Sequence, residues 1–506
     1  MPDGIKGFFL NLKGLFTSDK TLKSRVFQGG AYLFFGTTVE QGLRFFRNII
    51  LARLLAPEAF GVMAVVLAVN NMVETFTDIG IRHAIVQNPR SEEESYLDAA
   101  WWLSFIRSLV LYMIVFALAP SIARFYGNPE FIPLIRTATL CLVFAGAMST
   151  RAYIALKNLD MRRWVTVWNG GGAVGVLLTL LFSFFMKNVW ALVFGLIAES
   201  FIRLLLSFVF TPHTPRWRYD PSSFRELITF SKGMFGLGFF SFIFSQSDIF
   251  FVGRLCTAYE LGIYSMAISL SNLPVMMLTQ FLDKVGMPAL SAIQDDKDRL
   301  NHAMMKITYF LALAGFPLVA FIWVHGGAIL SVVYGNAYAA AAMPFAIISL
   351  SMLLRMMSVP MAQVYFVTGR PGLHRNFTVL RAVIILSLFY PFIRWMGLTG
   401  AALSGLVAMG AGYGFQMFQL HKLTGYDWKR MVRMIGQSFG LAIVFWIIQV
   451  VVSNIVPSNN IINMIFGLFI CFAYYIAFGI VLYLKEYKHE KLNNLQGKLI
   501  NMISGR

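Results

Sequence analysis

Charge is what this 506-residue chain has least of: only 13% of its residues are charged, against about 25% in a soluble globular domain. Packed soluble layers cannot hide the apolar surface that such a chain carries. The side chains that build metal centres and disulfides are sparse too. Cys141, Cys256 and Cys471 each stand alone in or beside an apolar run, with no CxxC spacing, and the seven histidines are scattered. Neither a disulfide nor a metal centre is therefore expected. No GxxxxGK[ST] stretch occurs, which excludes a phosphate-cradling loop powering this chain with ATP. What abounds is hydrophobic sequence, 58% of the chain at a mean hydropathy of +0.66. At roughly 20 apolar residues per crossing, that is enough for about fourteen membrane-spanning helices, and it leaves no room for a large soluble domain.

Apolar windows of spanning length fall at 29–51, 58–79, 99–119, 131–155, 164–186, 188–210, 228–251, 260–282, 304–325, 338–366, 377–396, 398–420, 432–453 and 461–484. A closed barrel shows alternating segments of about ten residues, and these runs are longer and unbroken. Lipid-exposed backbone must satisfy its own hydrogen bonds, so an all-α integral membrane protein is predicted. The net charge of +18 is spread between apolar runs rather than gathered on a soluble face, which disfavours nucleic acid. With both termini cytoplasmic, the tails and inner loops hold 27 Lys and Arg and the outer loops five (Arg53, Arg124, Lys187, Arg254 and Arg394). That asymmetry supports the count, because one missed span would exchange the sides of every later loop. Residues 1–26 set Lys6, Lys13, Lys20, Lys23 and Arg25 around Phe8, Phe9, Leu12, Leu15 and Phe16 at helical spacing; they read as an amphipathic helix on the cytoplasmic leaflet rather than a cleaved signal.

Two segments echo one another. Residues 52–61, ARLLAPEAFG, align without a gap with 253–262, GRLCTAYELG, pairing Arg53 with Arg254 and Gly61 with Gly262; Asn71 then meets Asn272. Tyr126-Gly127-Asn128 likewise matches Tyr334-Gly335-Asn336, each after the third helix of its half. A duplicated six-helix unit follows, with lobes at 27–215 and 216–425, helices thirteen and fourteen at 426–484 and a cytoplasmic tail at 485–506. Six is even, so the lobes enter with the same orientation, as parallel repeats around a central cavity.

Ten basic residues lie within spans, Arg44, Arg47, Arg107, Arg136, Arg151, Arg203, Lys232, Lys306, Arg355 and Arg381, against Glu40, Glu74, Asp78, Glu199 and Asp248. Each intramembrane charge costs roughly 2.5–3.5 kcal/mol on insertion scales and is kept where a partner or a water-filled cavity receives it. Glu40, Arg44 and Arg47 share a face of the first helix, and Asn70, Glu74 and Asp78 one of the second. Two readings are open: the faces lock the helices together, or the basic excess lines an anion cavity in which Arg44 and Arg47 fork onto phosphate. The second is favoured, because pairing cannot cancel the excess. Glu199 and Arg203, four apart, neutralise each other or join that cavity. In the repeat Arg47 aligns with Asp248, a candidate site for a coupling proton or sodium ion, with a salt bridge to Lys232 or Arg254 as the alternative. Gly170, Gly171, Gly172, Pro274, Pro317 and Pro360 are candidate hinges, though close packing explains the glycines equally well.

The stretch RNIILARLLAPEAFGVMAVVLAVNNMVETFTDIGIRHAIVQ, residues 47–87, resembles Wzx-type polysaccharide exporters of the multidrug/oligosaccharidyl-lipid/polysaccharide superfamily, most of all the colanic-acid and teichuronic-acid branch. The resemblance implies flipping of undecaprenyl-pyrophosphate-linked oligosaccharide across the bacterial inner membrane by alternating access, with a polysaccharide polymerase or chain-length machinery as partner, the chain acting as a monomer and not as an enzyme. It also implies roles for residues. The Arg-(Asp/Asn)-x-x-x-Ala-Arg pattern of related lipid II flippases falls on Arg47, Asn48, Ala52 and Arg53. Asp248 resembles their seventh-helix sodium ligand, and the last two helices their groove for a lipid tail. The cationic cavity is then expected to draw on Arg44, Arg47, Arg53, Arg151, Arg203, Arg254, Arg355 and Arg381, with Asp248, Glu40, Glu74, Asp78 and Glu199 as ion-coupling candidates and no cofactor beyond a coupling sodium ion or proton. Gln41 stands where those flippases carry a further arginine, which argues against a peptidoglycan precursor. A drug or cation antiporter of the same superfamily is expected to prefer an acidic cavity. A membrane polymerase or ligase needs large outer loops bearing reactive groups, and the outer loops here are short and hold no paired carboxylates or nucleophile.

Overall fold

A computed structural model describes residues 22–76, 80–217, 220–234, 237–282, 286–455 and 460–477. Residues 1–21 of the expected surface helix at 1–26, the tail at 485–506 and Asp78 lie outside them, and residues 22–26 open α1 instead. Among the described residues there is no strand. In the first half the helices are α1 (Leu22–Leu54), α2 (Pro57–Phe76), α3 (Ile81–Gln87), α4 (Glu94–Tyr126), the broken run α5 (Phe131–Ala138), α6 (Leu140–Gly146) and α7 (Arg151–Lys157), then α8 (Met161–Val165), α9 (Gly171–Met186) and α10 (Val189–Phe210). The second half comprises α11 (Pro221–Met234), α12 (Leu237–Leu255), α13 (Ala258–Phe281), α14 (Met287–Ser291), α15 (Lys297–Val333), α16 (Ala342–Val367), α17 (Pro371–Thr424) and α18 (Trp428–Ile455), followed by α19 (Asn460–Ala477).

By length and hydropathy ten described helices can cross a membrane, eleven when Phe131–Gly146 and Arg151–Lys157, bent by 62°, are taken as one span. The expected fourteen are not reached on that criterion: the seventh window, 228–251, is divided between α11 and α12, neither of which passes it, and the other two shortfalls have physical reasons. The 54-residue α17 would run about 80 Å at 1.5 Å per residue, far beyond a hydrocarbon core of about 30 Å. It holds the two windows 377–396 and 398–420, joined at Gly397, whose φ of 58° and ψ of −134° belong to glycine alone. The other reason is charge: α1 carries Glu40, Arg44 and Arg47 along its middle, which lowers its hydropathy although it covers the expected first window.

The repeat is visible in the packing. Within the first half α1 packs on α9, α9 on α10 and α4 on α5 and α6; within the second α12 packs on α17, the two segments of α17 are preceded by α16, and α15 packs on α16. The halves meet where α2 crosses α13, and here the aligned glycines face each other. A Cβ on Gly61 would overlap the carbonyl oxygen of Ala258, and one on Gly262 that of Pro57. Both bare backbones are needed for so close a crossing. The matched Tyr-Gly-Asn corners both set glycine at a positive φ, 71° at Gly127 after α4 and 117° at Gly335 after α15, though only Gly127 is a left-handed helix cap. The main hydrophobic core spans this junction, joining Leu51, Val65 and Val66 to Tyr264, Ala267, Phe345 and Phe389. A second core lies among α15, α16, α17 and α18.

Candidate functional site

A cavity of about 330 Å³ lies between the lobes, walled by α1, α2, α9, α10, α12 and α13. Arg44, Arg47 and Asn48 enter it from α1, Asn71 from α2, Thr179 from α9, Glu199 from α10, Gln246 and Ile249 from α12 and Ser265 from α13, against an apolar wall that includes Leu51, Phe60 and Met266. The i, i+4 spacing of the first helix delivers its polar face here, as the sequence predicts.

The charges in and beside this cavity divide into a neutralised group and one left over. Arg44 donates Nε and Nη2 to Glu40 Oε1 at 3.0 and 2.8 Å, and Nη2 also to Glu199 Oε1 at 2.5 Å. Arg203 Nη2 reaches Glu199 Oε1 at 2.9 Å and Glu40 Oε1 at 3.4 Å, while Asn169 Nδ2 donates to Glu40 Oε2 at 2.7 Å. Two acids thus hold two guanidiniums in one network drawn from α1 and α10. Gly171, Gly172 and Gly175 let α9 lie against it, since a side chain there would meet Arg203, Glu40 or Glu199. Gly171 and Gly172 are therefore close-packing glycines, and Gly170 ends the π-helical turn Thr166–Gly170, a local widening that often marks a functional site. Pro274, Pro317 and Pro360 each sit inside a continuous helix.

Arg47 is the charge left over. Its guanidinium donates to Asn48 Oδ1 at 3.1 and 3.3 Å, and it forms no ion pair among the described residues; the nearby Glu199 is already engaged by Arg44 and Arg203. An arginine on a cavity wall inside a membrane, with its fork uncommitted to any carboxylate, presents a cationic donor set to whatever anion enters.

The other predicted cavity residues are dispersed. Arg53 donates to Val332 O at 2.6 Å, and Arg254 lies 5.7 Å over the Phe125 ring. The two aligned arginines thus span the lobe junction in opposite directions, each from one lobe to the third helix of the other, beside the Gly61–Gly262 crossing. They act as clamps on one face and do not line the cavity. Arg151 binds Glu94 and donates to Pro212 O at 3.2 Å, away from the cavity. Arg355 is partly buried on α16 and makes no ion pair or hydrogen bond among the described residues, and Arg381 stacks 4.8 Å from the Phe377 ring centroid; both belong to the second lobe and neither lines the cavity. Glu74 is exposed, one turn beyond cavity-lining Asn71. Asp248 stands between Gln246 and Ile249 but is not itself on the wall. Its Oδ1 accepts from Ile249 N at 2.8 Å, and no ion pair joins it to Arg254 among the described residues. Sequence reasoning missed Asn169, Asn71, Gln246 and Ser265, neutral polar groups whose only signal is their place on the same helices.

Ten or eleven described helices long and apolar enough to cross a membrane, around a partly polar cavity between α1, α2, α9, α10, α12 and α13, define a multi-pass membrane protein. The chain belongs to the family described as polysaccharide biosynthesis protein, whose profile matches residues 50–343. It is 22% identical over 404 residues to the lipopolysaccharide biosynthesis protein WzxC of Escherichia coli strain K12, covering 79% of this chain and 80% of that one. It is 24% identical to an uncharacterized membrane protein in the cps region of Klebsiella pneumoniae, over 75% of this chain and 79% of that one. The succinoglycan biosynthesis transport protein ExoT of Rhizobium meliloti strain 1021 is 25% identical over 59% of this chain and 60% of its own length. Among solved structures, the lipid II flippase MurJ in an inward closed conformation shares the fold at a TM-score of 0.73, with 13% identity over 90% of this chain and 99% of that one. An inward-facing MATE-family multidrug resistance transporter does so at 0.59, with 15% identity over 76% of this chain and 96% of that one.

Proposed function

We propose that this chain is a flippase, carrying an undecaprenyl-pyrophosphate-linked oligosaccharide from the cytoplasmic to the outer leaflet of a bacterial inner membrane by alternating access, without chemical change to its cargo. The observation that carries this reading is Arg47: a partly buried guanidinium on the wall between the lobes, unpaired with acid among the described residues, beside a network in which every other cavity charge is matched. A pyrophosphate head supplies the missing anion and accepts a bidentate fork. The neutral polar groups Asn48, Asn71, Gln246 and Ser265 suit sugar hydroxyls. In this reading the Gly61–Gly262 crossing and the Arg53 and Arg254 contacts close one face, so release there requires those contacts to part.

Coupling to sodium ions or protons through Asp248 is part of the proposal, supported by its place between two cavity-lining residues of α12. A drug-cation antiporter is the poorer reading, because both carboxylates of the cavity network, Glu40 and Glu199, are already bound to arginine. The test is depletion of the protein followed by mass spectrometry of the lipid fraction. Accumulation of an undecaprenyl-pyrophosphate oligosaccharide, trapped at the cytoplasmic leaflet, is expected. Loss of drug resistance with an unchanged lipid pool is the result that overturns the proposal.

A further inference from the structure

Away from the cavity, at the start of α4 and in the linker residues 211–217, three metal-ligating side chains meet although the sequence holds two of them more than a hundred residues from the third. Glu94 and Asp98 lie four apart on one face of α4. His213 comes from the linker, with its side chain fully buried. Its Nε2 is 3.3 Å from Asp98 Oδ1 and its Nδ1 3.6 Å from Glu94 Oε2, yet neither ring nitrogen makes a hydrogen bond. A buried imidazole with both nitrogens within 3.6 Å of carboxylates and hydrogen-bonded to neither among the described residues is an unsatisfied arrangement. The surrounding contacts fix the carboxylates without closing the gap. Arg151 binds Glu94 through Oε1, leaving Oε2 toward the ring, and Arg216 N donates to Asp98 Oδ1 at 3.2 Å. A cleft lined by these residues and by Pro212 and Thr214 opens onto the cluster.

We propose that Glu94, Asp98 and His213 bind one divalent transition-metal ion, of zinc or manganese type, that ties the inter-lobe linker to the first lobe. One ligand atom from each residue lies within 4.8 Å of those of the other two. A metal at about 2.0–2.2 Å from each holds its ligands about 3.5 Å apart, so side-chain adjustment of about 1 Å closes the site. One imidazole with two carboxylates suits zinc or manganese; calcium and magnesium prefer oxygen alone, and there is no thiolate to select a softer ion. Scattered histidines give no such signal in the sequence, because the ligands are brought together only when the linker folds back on α4.

The experiment uses full-length protein in lipid nanodiscs, stripped with chelator and titrated with zinc chloride and, separately, manganese chloride. One equivalent of either ion is expected to bind. Affinity should fall at least tenfold in Glu94→Gln, an exposed position whose change leaves the fold intact, and about a hundredfold in His213→Gln. Zinc-edge X-ray absorption of the unaltered protein gives a reading free of any folding defect: one imidazole and two or more oxygen scatterers at about 2.0–2.2 Å are expected. Absence of stoichiometric binding, unchanged affinity in Glu94→Gln, or a zinc shell without imidazole overturns the assignment.

Discussion

Arg44 and Arg47 lie one turn apart on the same helix and line the same cavity, yet their replacement by glutamine should have opposite signatures. Arg44→Gln leaves Glu40 and Glu199, with side chains only 10% and 9% exposed, sharing Arg203 alone. Breaking a buried ion pair on one side costs about 3–5 kcal/mol, and the remaining arginine places the loss near the lower figure, about 3 kcal/mol. Arg47→Gln orphans no carboxylate. A lone intramembrane cation costs roughly 2.5–3.5 kcal/mol, so its removal should leave stability unchanged or raise it by about 1–2 kcal/mol. Its contact with phosphate is worth about 1.5–3 kcal/mol as a charged hydrogen bond, so transport by Arg47→Gln should fall about ten- to a hundredfold, and charge reversal by Arg47→Glu should abolish it. Thermal unfolding of the detergent-purified variants, read beside polymer output in cells depleted of the native protein, separates the two effects. Unfolding of Arg47→Gln as early as Arg44→Gln, with export continuing, would overturn both assignments.

Other consequences follow from the same contacts. Gly61→Val and Gly262→Val each drive a side chain into the opposing helix backbone; both should block closure of that face and trap an outward-open form, seen as increased labelling of cysteines placed in the cavity from the outer side. Arg53→Ala and Arg254→Ala should favour the same open state more mildly, by about 1–2 kcal/mol for a charged hydrogen bond or a cation–π contact, and unaltered labelling would remove their role as clamps. Asp248→Asn should erase the response of flipping to an imposed sodium or proton gradient; a full response in that variant ends its assignment as the coupling site.

The sequence carried much of the architecture because its signals are periodic and local. Long apolar runs, the asymmetry of basic loops and the glycine pair 61 and 262 all follow from what a bilayer and a close helix crossing demand. The aligned glycines proved to be the inter-lobe contact itself. The candidate site was legible only in part. Spacing on one helix put Arg44 and Arg47 on a common wall, but a count of intramembrane charge does not tell a paired arginine from a free one. Arg44 and Arg203 are cancelled by Glu40 and Glu199, which are 159 positions apart in the chain and meet only in the fold. Arg53 and Arg254 sit at span ends, where a long side chain can turn across the lobe junction as readily as into the cavity. Neutral residues such as Asn169 and Ser265 carry no charge to draw notice.

In the proposed cycle Arg47, partly buried between two lobes and free of acid partners among the described residues, receives the anionic head of a lipid-linked oligosaccharide. The most direct measurement reconstitutes the purified protein in liposomes containing undecaprenyl-pyrophosphate oligosaccharide isolated from depleted cells, and follows the loss of lectin-accessible sugar from the leaflet corresponding to the cytoplasmic face. The native chain should move the lipid, and Arg47→Gln should slow that movement about ten- to a hundredfold while remaining folded. Equal rates for the native chain and Arg47→Gln would contradict the account.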